Sequence, residues 1–278
     1  MRSPVFDAVL DFPLGSAAPD FRGEAVFLGG SVPVRILDYA VAGRKKAPFV
    51  RVVADRPVDL RWADPFEVRT LSGDLLGRGK CLFPGAPSAQ DLKLSRRKAL
   101  LEKLALGEKD MILALTELGG PKGLAGEDLE PFCRLTRSRI ELLAKALEEE
   151  GLVRILGFSP LWLISQASLD MLRGRIVSFL AQYHKAHPAH RGAPLDKLEK
   201  KFEAPRTVLV LALRLLARES RAVEEAGLYR LADFRLPLSA ADEATLASLE
   251  GMVLSGELGT VTSDDLRATF KLTPAKLQ

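Results

Sequence analysis

Histidine and cysteine are scarce in this chain. All three histidines, His184, His187 and His190, lie in one stretch, AQYHKAHPAHRGAPL at 181–195. The two cysteines, Cys81 and Cys133, stand far apart. Two isolated thiols argue against a disulfide framework and fit a reducing compartment. Long apolar runs are missing too. The most apolar stretch, TVLVLALRLLA at 207–217, is too short to span a bilayer and carries Arg214. The opening MRSPVFDAVLDFP sets Asp7 and Asp11 inside its apolar run, so no secretory signal is expected. Nothing matches the phosphate-cradling pattern G-x-x-x-x-G-K-[ST], and no Asn-Lys-x-Asp is present, so no nucleotide site is expected. The expectation is a soluble, cytoplasmic protein.

What is present is ordinary globular composition, with 47% apolar and 27% charged residues over 278 positions. That length allows two or more domains. The net charge of +4 permits an anionic partner without demanding one. Its distribution says more. Residues 171–221 carry eleven Lys/Arg against four Asp/Glu, whereas 238–278 carry three against six. A basic middle and an acidic end suggest a localised charged surface.

Two halves differ in hydrophobic period. FDAVLDF (6–12), EAVFL (24–28), VPVRIL (32–37), FVRVV (49–53) and FEVRTL (66–71) alternate with a period near two. Gly29-Gly30, Ala42-Gly43, Asp55-Arg56-Pro57 and Ser72-Gly73-Asp74 separate them as turns. Short strands at this spacing predict a small antiparallel barrel or sandwich over 1–83. The stretch FPGAPSAQ (83–90) reads as a linker, with the boundary at 84–92. Beyond it LLEKLAL, MILALTEL, IELLAKALEEEGL and VLVLALRLLA place apolar residues three and four apart, which predicts helices. The fold class expected is multidomain α+β.

The second half contains a repeat. DLEPFCRLTRSRIE (128–141) and DLRATFKLTPAKLQ (265–278) share Asp, Leu, Leu and Thr in register. In each a short helix ends, Leu-Thr follows, and the Thr is placed to cap the next helix. This is helix-turn-helix grammar. In the first copy a helix over 137–149 leads into two strands around Gly-Phe-Ser-Pro, so 93–167 reads as a winged helix. Helices near 169–186, 195–202 and 205–219, with a hairpin at 222–233, give a second over 168–237. Residues 238–278 open a third, expected to be incomplete because Gln278 falls barely past the first turn of its third helix.

Basic residues are the best binding candidates. Lys197, Lys200 and Lys201 share one short helix, Arg206, Arg214 and Arg218 the next, and Arg191 the preceding loop. Such a stripe can neutralise phosphates without reading sequence, and it can equally be a solvated face. Arg134, Arg137 and Arg139 open the third helix of the first unit, the end that touches nucleic acid in helix-turn-helix proteins. Arg44, Lys45 and Lys46 sit in a barrel loop. Catalysis has weaker footing. Cys133 lies on an apolar helix side, and Glu148, Glu149 and Glu150 end a helix as a solvated face. No catalytic residue is assigned, and no metal site: no nearby Cys or carboxylate completes a ligand set for the histidines.

The order of barrel, proline-bearing linker and serial winged helices resembles the C-terminal half of the selenocysteine-specific elongation factors, the SelB family. VRVVADRPVDLRWADPFEVRTLSGDLLGRGKCL (50–82) resembles the family's third domain through Asp64, Phe66, Val68 and Arg69, then Leu76, Gly77, Gly79 and Leu82. GEAVFLGGSVPVRILD (23–38) resembles the strand pair upstream. The sequence departs at Arg78 and Phe27, where the family has glycine and histidine. Tyr183-His184, Pro188, Gly192 and Leu195-Asp196 follow the order found in the family's second winged helix. On that resemblance His184 is a helix-end residue or an RNA contact. The barrel would be domain-III-like and the basic loop at 44–46 would lie near aminoacyl-tRNA. The family's GTP-binding domain and its last winged helix have no counterpart here. The resemblance therefore implies a partial or split factor, an RNA-binding adaptor in selenocysteine incorporation that is not itself an enzyme. Its partners would be RNA (tRNA, mRNA or ribosome) and a separate GTPase subunit, with no membrane and no small-molecule substrate. No cofactor is expected in the chain, GTP entering only through an absent or separate domain. The alternative is a stand-alone winged-helix module that binds DNA, RNA or protein.

Overall fold

The computed structural model describes residues 2–12, 20–38, 49–85 and 94–235, with positions 244, 247, 248, 250 and 251. Lys45 and Lys46, most of the linker and nearly all of 238–278, including the second copy of the sequence repeat, lie outside the described residues. The chain divides into two compact units, Met1–Ile176 with Asp196–Leu216, and Val177–Leu195 with Ala217–Gln278.

Six strands open the first unit: β1 (Arg2–Leu10), β2 (Asp20–Phe27), β3 (Gly30–Asp38), β4 (Phe49–Asp59), β5 (Pro65–Arg69) and β6 (Leu75–Pro84). All pair antiparallel and close in the order β1-β4-β3-β2-β5-β6. Of the two architectures that alternation allows, the structure is the barrel. Strand β3 shows why: Val32, Val34 and Ile36 are buried while Ser31, Pro33 and Arg35 are exposed. Phe6 meets the edges of Phe27 and Phe66 in the interior, at centroid distances of 6.1 and 5.5 Å. Alternation misses β6 because glycines interrupt it. Phe12 lies over Gly77 and Phe66 over Gly79, and a Cβ at either position would run into the ring.

A barrel wall facing water should be polar at every outward position. Part of this one is not. Val9, Phe49 and Phe83 pack with helical residues, and Asp7 and Arg51 are buried. The cover begins with α1 (Leu94–Leu104) and α2 (Glu108–Gly119), then a two-residue strand β7 (Leu124–Ala125), α3 (Gly126–Leu129), α4 (Arg137–Glu149), β8 (Val153–Phe158) and β9 (Leu161–Ser165). Leu101, Leu104, Met111, Ile112, Ile140 and Leu147 form its core together with Leu82 of the barrel. Thr136 caps α4, its hydroxyl accepting from Arg139 N–H at 3.3 Å.

Polar contacts fasten the same junction. Arg51 Nε donates to Asp7 Oδ1 at 3.0 Å, and Arg97 of α1 sits with Nε 3.5 Å from Asp7 Oδ2. The loop between β4 and β5 reaches across. Trp62 N–H donates to the Phe132 carbonyl at 2.7 Å, and its indole Nε1 to the Leu104 carbonyl at 3.0 Å. Arg61 donates to the carbonyls of Glu130 and Cys133. Phe83 meets the edge of Phe132 at 5.2 Å.

The remaining elements are α5 (Gln166–Ala186), β10 (Ala193–Pro194), α6 (Leu195–Phe202), α7 (Arg206–Arg218), β11 (Ala222–Glu225) and β12 (Leu228–Leu231). Their three-stranded sheet has the order β10-β12-β11, the pattern of β7-β9-β8 upstream. Each short strand follows a glycine, Gly123 or Gly192. A side chain there would collide with the Leu163 carbonyl in one case and the Tyr229 carbonyl in the other.

Removing the Asp7 carboxylate leaves two buried guanidinium groups without their shared anion. Asp7→Ala is expected to cost about 3–5 kcal/mol of stability. Urea unfolding followed by circular dichroism measures it, and an unchanged midpoint would show that the ion cluster does not hold the junction.

Candidate nucleic-acid interface

Helix α6 sorts its residues by period. Leu195, Leu198 and Phe202 are buried, while Lys197, Lys200 and Lys201 face water. Arg206 opens α7, exposed, with its guanidinium 3.4 Å from Asp196 and 3.5 Å from Glu199. Those are long, solvent-screened contacts that a phosphate can displace. Arg206 and Arg214 also line a groove of about 660 Å3 with Arg154 and the single carboxylate Glu148, beside Ile155, Val210 and Leu211. Arg154 carries no sequence signal, because it stands on a strand whose period says nothing of what faces it across the fold.

The arginines at the start of α4 are engaged differently. Arg134 grips Asp64 with two nitrogens at 2.8 and 2.9 Å. Arg137 donates to Glu141 at 2.8 Å and to the Phe158 carbonyl at 2.7 Å. Arg139 donates to Glu108 at 2.8 Å. Burial works against charge on Asp64, yet Arg134 and the Arg61 backbone N–H outweigh it and hold the carboxyl below its ordinary range. A cavity of about 780 Å3 lies beside Arg61, Arg134 and Arg137, but Glu127 and Glu130 line it as well. This end of α4 is therefore electrostatically closed compared with α6. The trio stands together as the sequence places it, with each member tied to a carboxylate.

In the second unit, Arg191 is exposed and His184 is not, at 6% accessible. The His184 ring stacks on Phe234 at 3.6 Å, and its Nε2 accepts from the Leu231 N–H at 3.3 Å. The imidazole thus ties the end of α5 to the segment after β12, and points away from any surface contact. His187 and His190 stack on each other at 4.9 Å instead. The three rings do not converge. Among the described residues no group of three His, Cys, Asp or Glu side chains is placed to hold a metal ion. Both thiols are buried, and burial pushes Cys81 well up and Cys133 up as well, which keeps them protonated and poor nucleophiles. No helix among the described residues is long and apolar enough to cross a membrane.

Burial, and then the nearby Arg230 charge, lower the His184 pKa below its ordinary 6.5, with Asp233 opposing. The unfolded chain therefore takes up this proton first, and stability falls as pH drops below about 6.5. His184→Gln, which keeps an acceptor for Leu231, is expected to flatten that dependence in urea midpoints. An identical pH slope in the two proteins would assign the dependence elsewhere.

No protein-family model matches the chain, and no curated protein matches it. Among solved structures it is similar to a bacterial selenocysteine-specific elongation factor, EF-Sec, at 15% identity and a TM-score of 0.38. The match covers 100% of this chain and 50% of that one, so the chain spans about half the length of the structure it resembles.

Proposed function

We propose that this chain is an RNA-binding adaptor of translation, akin to the C-terminal half of the selenocysteine-specific elongation factors. In this reading residues 1–83 are the domain-III-like barrel, 84–92 the linker, 93–167 and 168–237 winged helices, and 238–278 part of a third. The observation that carries it is a junction. A closed six-stranded barrel, whose β4, β5 and β6 hold the family-like stretch 50–82, is followed in the chain by a helix–strand–helix–helix–hairpin unit, and the same plan follows again. In this reading the chain's work is binding rather than chemistry. GTP belongs to a separate domain or subunit, and the barrel is the surface offered to it.

The RNA contacts in this reading are Lys197, Lys200, Lys201 and Arg206, with Arg191 in the loop before α6. The exposed lysines supply displaceable cations that neutralise backbone phosphates without reading bases. Arg134 has a supporting part, holding the barrel loop through Asp64.

Fluorescence anisotropy with labelled tRNA across a salt series tests this. The logarithm of the binding constant should fall linearly with the logarithm of salt concentration. Lys197→Ala, Lys200→Ala and Lys201→Ala together should make the slope shallower by about two to three. Binding that is insensitive to salt, or equal affinity for duplex DNA of the same charge, would defeat the RNA reading. Recovery of a GTPase subunit or ribosomes on the tagged chain would place it in translation, and their absence would argue for the stand-alone module.

A further inference from the structure

We infer that the exposed pair His187 and His190 is a base-stacking platform for single-stranded RNA, with Lys185 and Arg191 as its phosphate contacts. This rests on the RNA reading above and names a contact that the lysine stripe cannot supply, since lysines bind phosphate and have no π-face.

The geometry is built rather than incidental. Pro188 ends α5 just past Ala186, and the backbone turns there, with His187 N–H donating to the Tyr183 carbonyl at 2.8 Å and His190 N–H to the His187 carbonyl at 3.0 Å. This turn brings the two imidazoles parallel, 13° apart in plane and 4.9 Å between centroids. Tyr183, buried beneath, lies 4.8 Å from His187 and 5.9 Å from His190. Its hydroxyl is 2.8 Å from His190 Nδ1, which fixes that ring's rotation. The two imidazoles are thus ordered by a buried anchor while both remain exposed. Exposed aromatic rings held in one orientation lose little entropy when a third ring is added to the stack. Lys185 and Arg191, both exposed, flank the pair in sequence and have no protein partner among the described residues. Rings for bases beside cations for phosphates is the combination that binds a single strand with little sequence preference. His184 is outside this group, since its ring is used inward against Phe234.

The test uses the full chain, hexa-adenylate RNA and a ribose-phosphate hexamer of equal charge without bases. His187→Ala is expected to weaken hexa-adenylate binding by at least about fivefold, with the salt slope unchanged and the abasic hexamer unaffected. His187→Phe, which keeps a ring, should restore binding. Arg191→Ala should weaken both ligands and make the salt slope shallower. In NMR spectra the imidazole C–H signals of His187 and His190 should shift with hexa-adenylate and stay in place with the abasic strand. If RNA binds with the expected salt dependence but His187→Ala leaves hexa-adenylate affinity unchanged, the platform is wrong and the RNA reading stands. Equal losses for both ligands would also overturn it, showing that the rings do not stack on bases. If neither hexamer nor tRNA binds, the RNA reading fails and the platform with it.

Discussion

Asp7 decides how the barrel and its first helices are joined. Its carboxylate stands on the outer side of β1, where an isolated barrel would leave it in water. Here it is 1% accessible, between Arg51 of the same wall and Arg97 of α1, itself 3% accessible. A buried ion cluster of this kind adds little net stability over an apolar replacement, because desolvation offsets attraction. What it adds is geometry: Arg97 meets Asp7 on the same side of the barrel where Val9, Phe49 and Phe83 pack against the helical core. The β4–β5 loop extends the junction, since Arg61, Trp62 and Asp64 each bond to the helical side. The left-handed turn at Ala63, φ 67°, presents all three across one short span. The barrel and the helical elements that follow it thus share one fastened junction within the first unit.

A second constraint repeats along the chain. Each three-stranded sheet needs a two-residue strand beside its hairpin, and each obtains it from a glycine that admits the neighbouring carbonyl where a Cβ would stand. The glycine and the short helix after it recur as Gly123 with α3 and Gly192 with α6. The presence of Gly192 after the histidines is thus explained by the sheet, and Pro188 by the end of α5, with no appeal to a metal.

How much of this the sequence discloses follows from which signals are local. Alternation discloses β1 to β5, because one face of each strand is buried, and helical spacing discloses α2, α4 and α7. Strand β6 is hidden, because Gly77 and Gly79 answer to Phe12 and Phe66, which are distant in sequence. Alternation by itself leaves barrel and sandwich both open, because closure pairs β1 with β6, which are distant in sequence. At the candidate interface the positions of Lys197, Lys200 and Lys201 are legible from the period of α6. The partners of Arg134, Arg137 and Arg139 are not, since Asp64, Phe158 and Glu108 come from other elements. Nor is the inward turn of His184, which depends on Phe234.

Those partners explain why clusters of equal formal charge are not equivalent. A guanidinium already gripping a carboxylate with two nitrogens must give up charge-assisted bonds before it takes a phosphate. The exchange is least favourable for Arg134, whose partner Asp64 is partly buried and would be left beside only Arg61. Lys200 and Lys201 of α6 stand exposed at the surface. Their compact ammonium groups on flexible stems suit a ligand whose phosphates vary in position, whereas fork-shaped arginines suit fixed carboxylates within the fold. Arg134, Arg137 and Arg139 accordingly serve contacts within the fold, to Asp64, Glu141 and Glu108. In the proposed reading, the ordered ring pair His187 and His190 adds what the lysines lack, a flat π-face for an unpaired base.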